Sequence, residues 1–344
     1  MKRDYFIDLA KGFGILLVIL GHTHHIPFQG YIYSFHMPLF FFIAGYLFNN
    51  EKYYNTSMLE FLKSKFKSII IPYFTMSTIC YIIFILIPTL KNFITKGFLD
   101  IKLLERYLIG IVYSIGTTDW LPNCSPIWFL TCYFCAEFIF FIINKKHKSV
   151  LGMYFLLAGC GIIGWFIEKY INVRMPWNLQ IAFIAVVFIG LGNLFKYYRF
   201  INISKKAKYI TVLTMTTIYY LAVKLNISIT HDSLPVALAE NRYGNILFFY
   251  MGAISGLIIV IYLSKILETL IPLNKISFLG QNTIPIIGFN YLIISLVSKI
   301  CPRIITNHWY LNFIIQVIVV YILILIINKI PLLQKLIYGR KKVI

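Results

Sequence analysis

Residues 4–50 read DYFIDLAKGFGILLVILGHTHHIPFQGYIYSFHMPLFFFIAGYLFNN. Two strongly apolar segments flank a short polar turn that Pro27 and Gly30 punctuate. Neither segment is purely apolar. Asp8 and Lys11 lie low in the first, His22 near its far end, and His36 in the second, two residues before Pro38. Ionisable groups inside a membrane span are costly and mark function by default. Four of them in two neighbouring segments are more than a pair of plain anchors needs.

Helical geometry sharpens the pattern. Eleven steps along a helix return nearly to the same face, so Lys11 and His22 share a face about 16 Å apart along the axis. Asp8, three residues before Lys11, falls on that face too and can pair with it; a neutralised ion pair near the inner interface is the plainer account of these two. If the hairpin is symmetric about Gln29, His22 and His36 lie at equal depth, side by side in the outer half of the membrane. Pro38 removes a helix hydrogen bond to the carbonyl of Ser34 and kinks the chain beside His36. A neutral imidazole, with an ordinary pKa near 6.5, suits the removal of a proton from a hydroxyl. His24 and His25 fall in the turn and are expected in solvent.

The rest of the chain fits this setting. Of 344 residues, 59% are hydrophobic and 13% charged, with a mean hydropathy of +0.78; soluble domains carry about 25% charged residues. A membrane helix needs about 20 residues, and on that ruler ten spans are expected, near residues 5–26, 31–48, 69–90, 125–143, 149–168, 177–195, 208–225, 243–264, 276–298 and 308–328. Residues 99–118 are shorter and more mixed, and read as an interfacial or re-entrant piece. The expected fold is therefore all-α and polytopic. Residues 1–344 are expected to form one transmembrane domain, with its active-site hairpin at 5–48, no cleaved signal peptide and no separate soluble domain.

With both termini in the cytoplasm, Lys and Arg number 21 on the inner side and 10 on the outer, as the positive-inside rule requires. The net charge of +20 is accounted for in this way, and a nucleic-acid partner is not expected. Cys132 and Cys135 form a CxxC on an expected span with no second pair. They read as buried packing, and no metal is expected.

The pattern DLAKGFGILLVILGH at residues 8–22, followed by SFHMPLFFFIAGY at 34–46, resembles the start of the acyltransferase family 3 integral-membrane proteins, particularly their fucose 4-O-acetylase-like branch. Two further patches agree: Pro126-Ile127-Trp128-Phe129-Leu130 with Glu137 following, and Phe278-Leu279-Gly280-Gln281-Asn282-Thr283. The resemblance implies transfer of an acyl group, usually acetyl, from a cytoplasmic acyl-CoA to a hydroxyl of an extracytoplasmic glycan. Its first-helix motif is Arg, ten residues, His. His22 matches the His, and Lys11 stands where the wider family has Arg, keeping the charge but losing the bidentate fork. Lys11 and Asp8 are then expected on the donor side, near the CoA phosphates. Asn290 occupies the nearest position to a late His of many relatives.

The expected catalytic groups are His22, as base or transient acyl carrier, with His36 or Glu137 assisting; Glu137 would orient an imidazole or else pair with a basic residue of another helix. Trp128, Gln281, Asn282 and Asn290 are candidates for substrate contact. Trp128 can equally be an interfacial anchor, and Gln281 and Asn282 can equally bond helix to helix. The partners implied are acetyl-CoA, a glycan or lipid-linked sugar acceptor, the bilayer of a bacterial cell membrane, and other polysaccharide-assembly proteins. Three rivals stay open: O-succinyl transfer, a secondary transporter with Asp8, Lys11, His22 and Glu137 as a proton relay, and a non-catalytic scaffold.

Overall fold

The structure is a computed structural model that describes residues 4–23, 26–121, 123–146, 149–171, 173–300 and 308–339. His24, His25 and Cys301 lie outside the described residues. The chain opens with three short helices: α1 (Tyr5–Gly21), α2 (Gln29–Tyr33) and α3 (His36–Leu47). Then come α4 (Met58–Lys96), the short α5 (Ile101–Tyr113), and the long α6 (Ser125–Lys146), α7 (Val150–Ile171), α8 (Pro176–Tyr197), α9 (Lys205–Thr230) and α10 (Ile246–Leu267). The chain then breaks again into α11 (Asn274–Gly280) and α12 (Thr283–Ile300), and closes with α13 (Trp309–Lys329) and α14 (Pro331–Tyr338).

Among the described residues, seven helices are long and apolar enough to cross a membrane: α4, α6 to α10, and α13. The chain is thus an all-helical, multi-pass membrane protein. The expected spans at 5–26, 31–48 and 276–298 are realised as shorter helices, and these are the ones that carry most of the candidate site residues. The run expected at 31–48 is broken at Ser34–Phe35, at the carbonyl that Pro38 leaves without its helical donor. The run at 276–298 is broken by a turn at Gln281–Asn282. Non-helical backbone at membrane depth is tolerated where it is buried in protein or lines a cavity.

Prolines also shape α4. Its two π-helical turns, Phe66–Ile70 and Ile82–Leu86, each end two residues before a proline, Pro72 and Pro88. A widened turn accommodates the ring and the missing N–H.

Helices α8 and α6 form the centre, with 78% and 72% of their most apolar windows buried. Helix α9, at 17%, and α13, at 28%, are peripheral and turn residues such as Leu213 and Ile318 outward, as a lipid-facing helix does. Glycines seat both histidine-bearing helices. A Cβ on Gly280 would fall 1.8 Å from the carbonyl oxygen of Asp8, and one on Gly12 2.2 Å from that of Ile276, so α1 and α11 cross backbone to backbone. The same reciprocity joins α3 to α8: a Cβ on Gly45 would fall 1.8 Å from the carbonyl oxygen of Ile189, and one on Gly192 1.9 Å from that of Phe42. Small residues permit such approach where lipid offers no hydrophobic drive to association.

Candidate active site

Helix α1 stops at Gly21 because side chains take over its last carbonyls. His22 donates Nδ1–H to the oxygen of Val18 (2.7 Å), Thr23 donates its hydroxyl to Ile19 (3.0 Å), and Gln29 donates its amide to Gly21 (2.8 Å). The Val18 carbonyl also accepts the His22 N–H (3.2 Å), while those of Ile19 and Gly21 belong to the last turn, whose carbonyls a helix terminus leaves without intrahelical partners. A carbonyl can only accept, so the bond from Nδ1 sets the tautomer and leaves Nε2 of His22 as the ring's basic lone pair. His36, the first residue of α3, repeats the device: its Nδ1–H reaches back across the Ser34–Phe35 break to the oxygen of Ile32 (2.8 Å). Tyr33 lies against both rings, 5.8 Å from that of His22 and 5.0 Å from that of His36, and Tyr291 of α12 lies 5.3 Å from His22 on another side.

Both histidines line one cavity of about 390 Å³, with Val18, Met37, Trp128 and Tyr291 in its walls. Two loops close over this cavity, the outer one in the orientation expected from the sequence. One supplies Gly116, Thr117 and Asp119; it follows α5 and is anchored by a buried network in which Asn178 donates to the Ser114 carbonyl (2.8 Å) and Ser114 bonds Thr131 (2.8 Å). The other supplies Leu238 and Glu240. It is held by an Ala237–Arg242 bridge, by the Arg242–Asp232 ion pair (2.5 Å), and by Asn226, whose Oδ1 accepts from the Asn245 N–H (2.8 Å).

A second cavity of about 340 Å³ lies deeper along the same helices. Lys11, Lys65, Ser68, Tyr133, Thr283 and Tyr338 bring polar groups to it. Lys11 is thus in one cavity and His22 in the other, as their spacing on α1 requires.

The profile of the acyltransferase domain family matches residues 4–328. The chain belongs to acyltransferase family 3. Among curated proteins, this acyltransferase is similar to Nodulation protein NolL of Sinorhizobium fredii (strain NBRC 101917 / NGR234), at 41% identity over 58 residues, and to Nodulation protein NolL of Mesorhizobium japonicum (strain LMG 29417 / CECT 9101 / MAFF 303099), at 45% over 58 residues. Each match covers 13% of this chain and 16% of the relative, so the chain spans about a sixth of the length of the curated relatives it matches. No solved structure matches it.

The other expected site residues of this family 3 protein fall in different places. Trp128 lines the outer cavity, its side chain packed on Gly116. Glu137 is not at the histidines. It lies nine residues further along α6 than Trp128, about 14 Å of helix, and its Oε1 accepts from Nζ of Lys65 (2.7 Å). A buried carboxylate needs a compensating cation, and Lys65 supplies it, while backbone carbonyls hold both imidazoles. Of the two roles expected of Glu137, the ion pair with a basic residue of another helix is the one present, joining α4 to α6.

Gln281 and Asn282 form the joint between α11 and α12 and line neither cavity. Gln281 donates to Oδ2 of Asp8 (3.2 Å), and Oδ1 of Asn282 accepts from the Tyr338 hydroxyl (2.6 Å) and from Asn328 (3.3 Å). Asn290 is fully buried on α12 beside Tyr291 but lines neither cavity, and neither end of its amide has a partner among the described residues. Lys65 was missed by sequence reasoning, where it counted only towards the inner positive charge. Tyr33 and Tyr291 were missed as well. Tyr33 was within reach of inspection, three residues before His36; Tyr291 carries no signal of its own.

Proposed function

We propose that this acyltransferase is a membrane O-acetyltransferase. It takes acetyl from acetyl-CoA on the cytoplasmic side and moves it to a hydroxyl of a cell-surface or lipid-linked polysaccharide beyond the bacterial plasma membrane. The observation that carries this reading is the His22 ring: Nδ1–H committed to Val18, Nε2 left basic, in the wall of a cavity large enough for a small polar substrate. Lys11 and Lys65 in the wall of the inner cavity support entry of an anionic donor from that end. In this arrangement α1, α3 and the α11–α12 pair join the seven long helices as spans. The chain then works as one unit of ten spans with both termini inside, in keeping with its Lys and Arg distribution.

The chemistry balances on one side chain. The acceptor oxygen bonds to the acyl carbon and the carbon–sulfur bond breaks. Nε2 of His22 takes the hydroxyl proton and returns it to the departing sulfur, releasing CoA as the thiol. While the ring carries that proton, the bond from Nδ1–H to Val18 and the carbonyl end of α1 stabilise its charge. His36, in the same cavity, assists the proton transfer.

The test is mass spectrometry of surface glycans from cells lacking the protein, restored with wild type or with His22→Ala. Wild type restores a 42 Da acetyl increment, about the mass of one ketene unit, and His22→Ala at equal membrane abundance does not. Acetylation by the variant at the wild-type level contradicts the reading.

A further inference from the structure

The two cavities meet at one level of the bundle, and each of four helices crosses it. On α1, Val18 and His22 line the outer cavity and Lys11 the inner. On α3, Met37 lines the outer and Phe40, one turn on, the inner. On α6 the change falls between the neighbours Trp128 and Phe129. On α12, Tyr291 is outer and Thr283 and Ile284 are inner, with Ile287 one turn from each. Ile287 is the residue, among those described, that lines both cavities. The side chains at this level, Met37, Phe40, Phe129 and Ile287, are apolar and buried. They make a collar with polar groups on either side.

Ile287 is held firmly at that level. Its neighbour Gly288 lets α12 press against α4, where a Cβ would fall 2.1 Å from Sδ of Met76. The helix cannot back away from α4 without opening that contact, so the Ile287 side chain keeps its place between the cavities.

We propose that Ile287 is the partition between the donor and acceptor cavities and selects the acyl group by its size. The inference rests on the O-acetyltransferase reading above. An acyl group entering from the inner cavity meets the collar before it meets His22, so each added methylene must find room against Ile287. The collar also keeps water of the outer cavity from the thioester, which favours transfer to the acceptor hydroxyl over hydrolysis. Tyr291 and Met37 stand above it on the acceptor side.

The experiment uses membranes containing the full chain, the surface polysaccharide of the host cells, and acetyl-CoA or propionyl-CoA as donor. Acyl groups retained on the polysaccharide are counted by mass spectrometry and CoA thiol release is measured in parallel. One methylene in an apolar pocket changes discrimination by about 10- to 200-fold, so Ile287→Ala should raise the propionyl-to-acetyl ratio by about tenfold or more and release CoA without acceptor. Ile287→Phe should cut acetyl transfer, and Ile287→Val, which frees the room of one methylene, should raise the ratio in the same direction as Ile287→Ala but by less. Ile293→Ala removes the same atoms from a buried site on α12 away from both cavities and serves as the packing control, with the wild-type ratio expected. An unchanged ratio in Ile287→Ala, in membranes where wild type transfers acetyl, overturns the partition alone. Failure of wild type to transfer acetyl from acetyl-CoA overturns the O-acetyltransferase reading and the partition with it.

Discussion

The outer and inner cavities hold their polar groups by different means. In the outer one, each histidine is fixed by the carbonyl four residues before it on its own stretch of chain, Val18 for His22 and Ile32 for His36. In the inner one, Lys65 is fixed by a carboxylate from another helix, and the Tyr338 hydroxyl is fixed by Asn282. A base that must keep one tautomer is best held by a rigid local acceptor that cannot itself ionise. A cation facing an anionic substrate gains from a partner that keeps it charged when buried. On the proposed reading, the outer cavity serves proton transfer and the inner one serves charge.

Substitutions can break or sharpen that contrast. The largest effect is expected at His22: His22→Ala should lower transfer by about 10²- to 10⁴-fold, the usual contribution of a general base, with membrane abundance unchanged by immunoblot. At the inner cavity the expected effect is on stability. Lys65→Met or Glu137→Gln leaves a buried group uncompensated and should cost about 3–5 kcal/mol in thermal unfolding in detergent. The double variant Lys65→Met with Glu137→Leu should recover most of it. If Glu137→Gln instead abolished transfer at unchanged stability, the division between the cavities would fail.

A smaller loss is expected where α11 meets α1. Gly280→Ala places a methyl against the Asp8 carbonyl and should cost about 1–3 kcal/mol as overpacking, read in the same unfolding assay. Lys11→Ala should have the mildest effect, a several-fold rise in KM for acetyl-CoA with kcat kept, measured by CoA thiol release.

What could be read from the sequence follows the same contrast. The hairpin of residues 4–50, its two histidines in one cavity, and the separation of Lys11 from His22 all follow from helical spacing and turn chemistry, which are local. The break at Ser34–Phe35 was foreshadowed by Pro38. The partner of Glu137 was not legible, because pairing α4 with α6 is a tertiary choice among many lysines. The roles of Gln281 and Asn282 were left open between substrate and structure, and the structure makes them the joint of α11 and α12. The loops closing the outer cavity were not legible, since the Asn178–Ser114–Thr131 network joins three separate segments. Expected span length also misled: 17- and 12-residue helices stand where runs of about 20 were expected, since cavity-lining helices end early, where side chains can take up their terminal carbonyls.

The most direct test of the central claim uses sealed membrane vesicles with the cytoplasmic face outward. Isotope-labelled acetyl-CoA is added outside, and label on the enclosed polysaccharide is counted for wild type and for His22→Ala. Wild type should deliver label to the lumenal glycan while His22→Ala delivers none. Equal labelling by the two proteins, or delivery by wild type only when acetyl-CoA is trapped inside, would contradict the account.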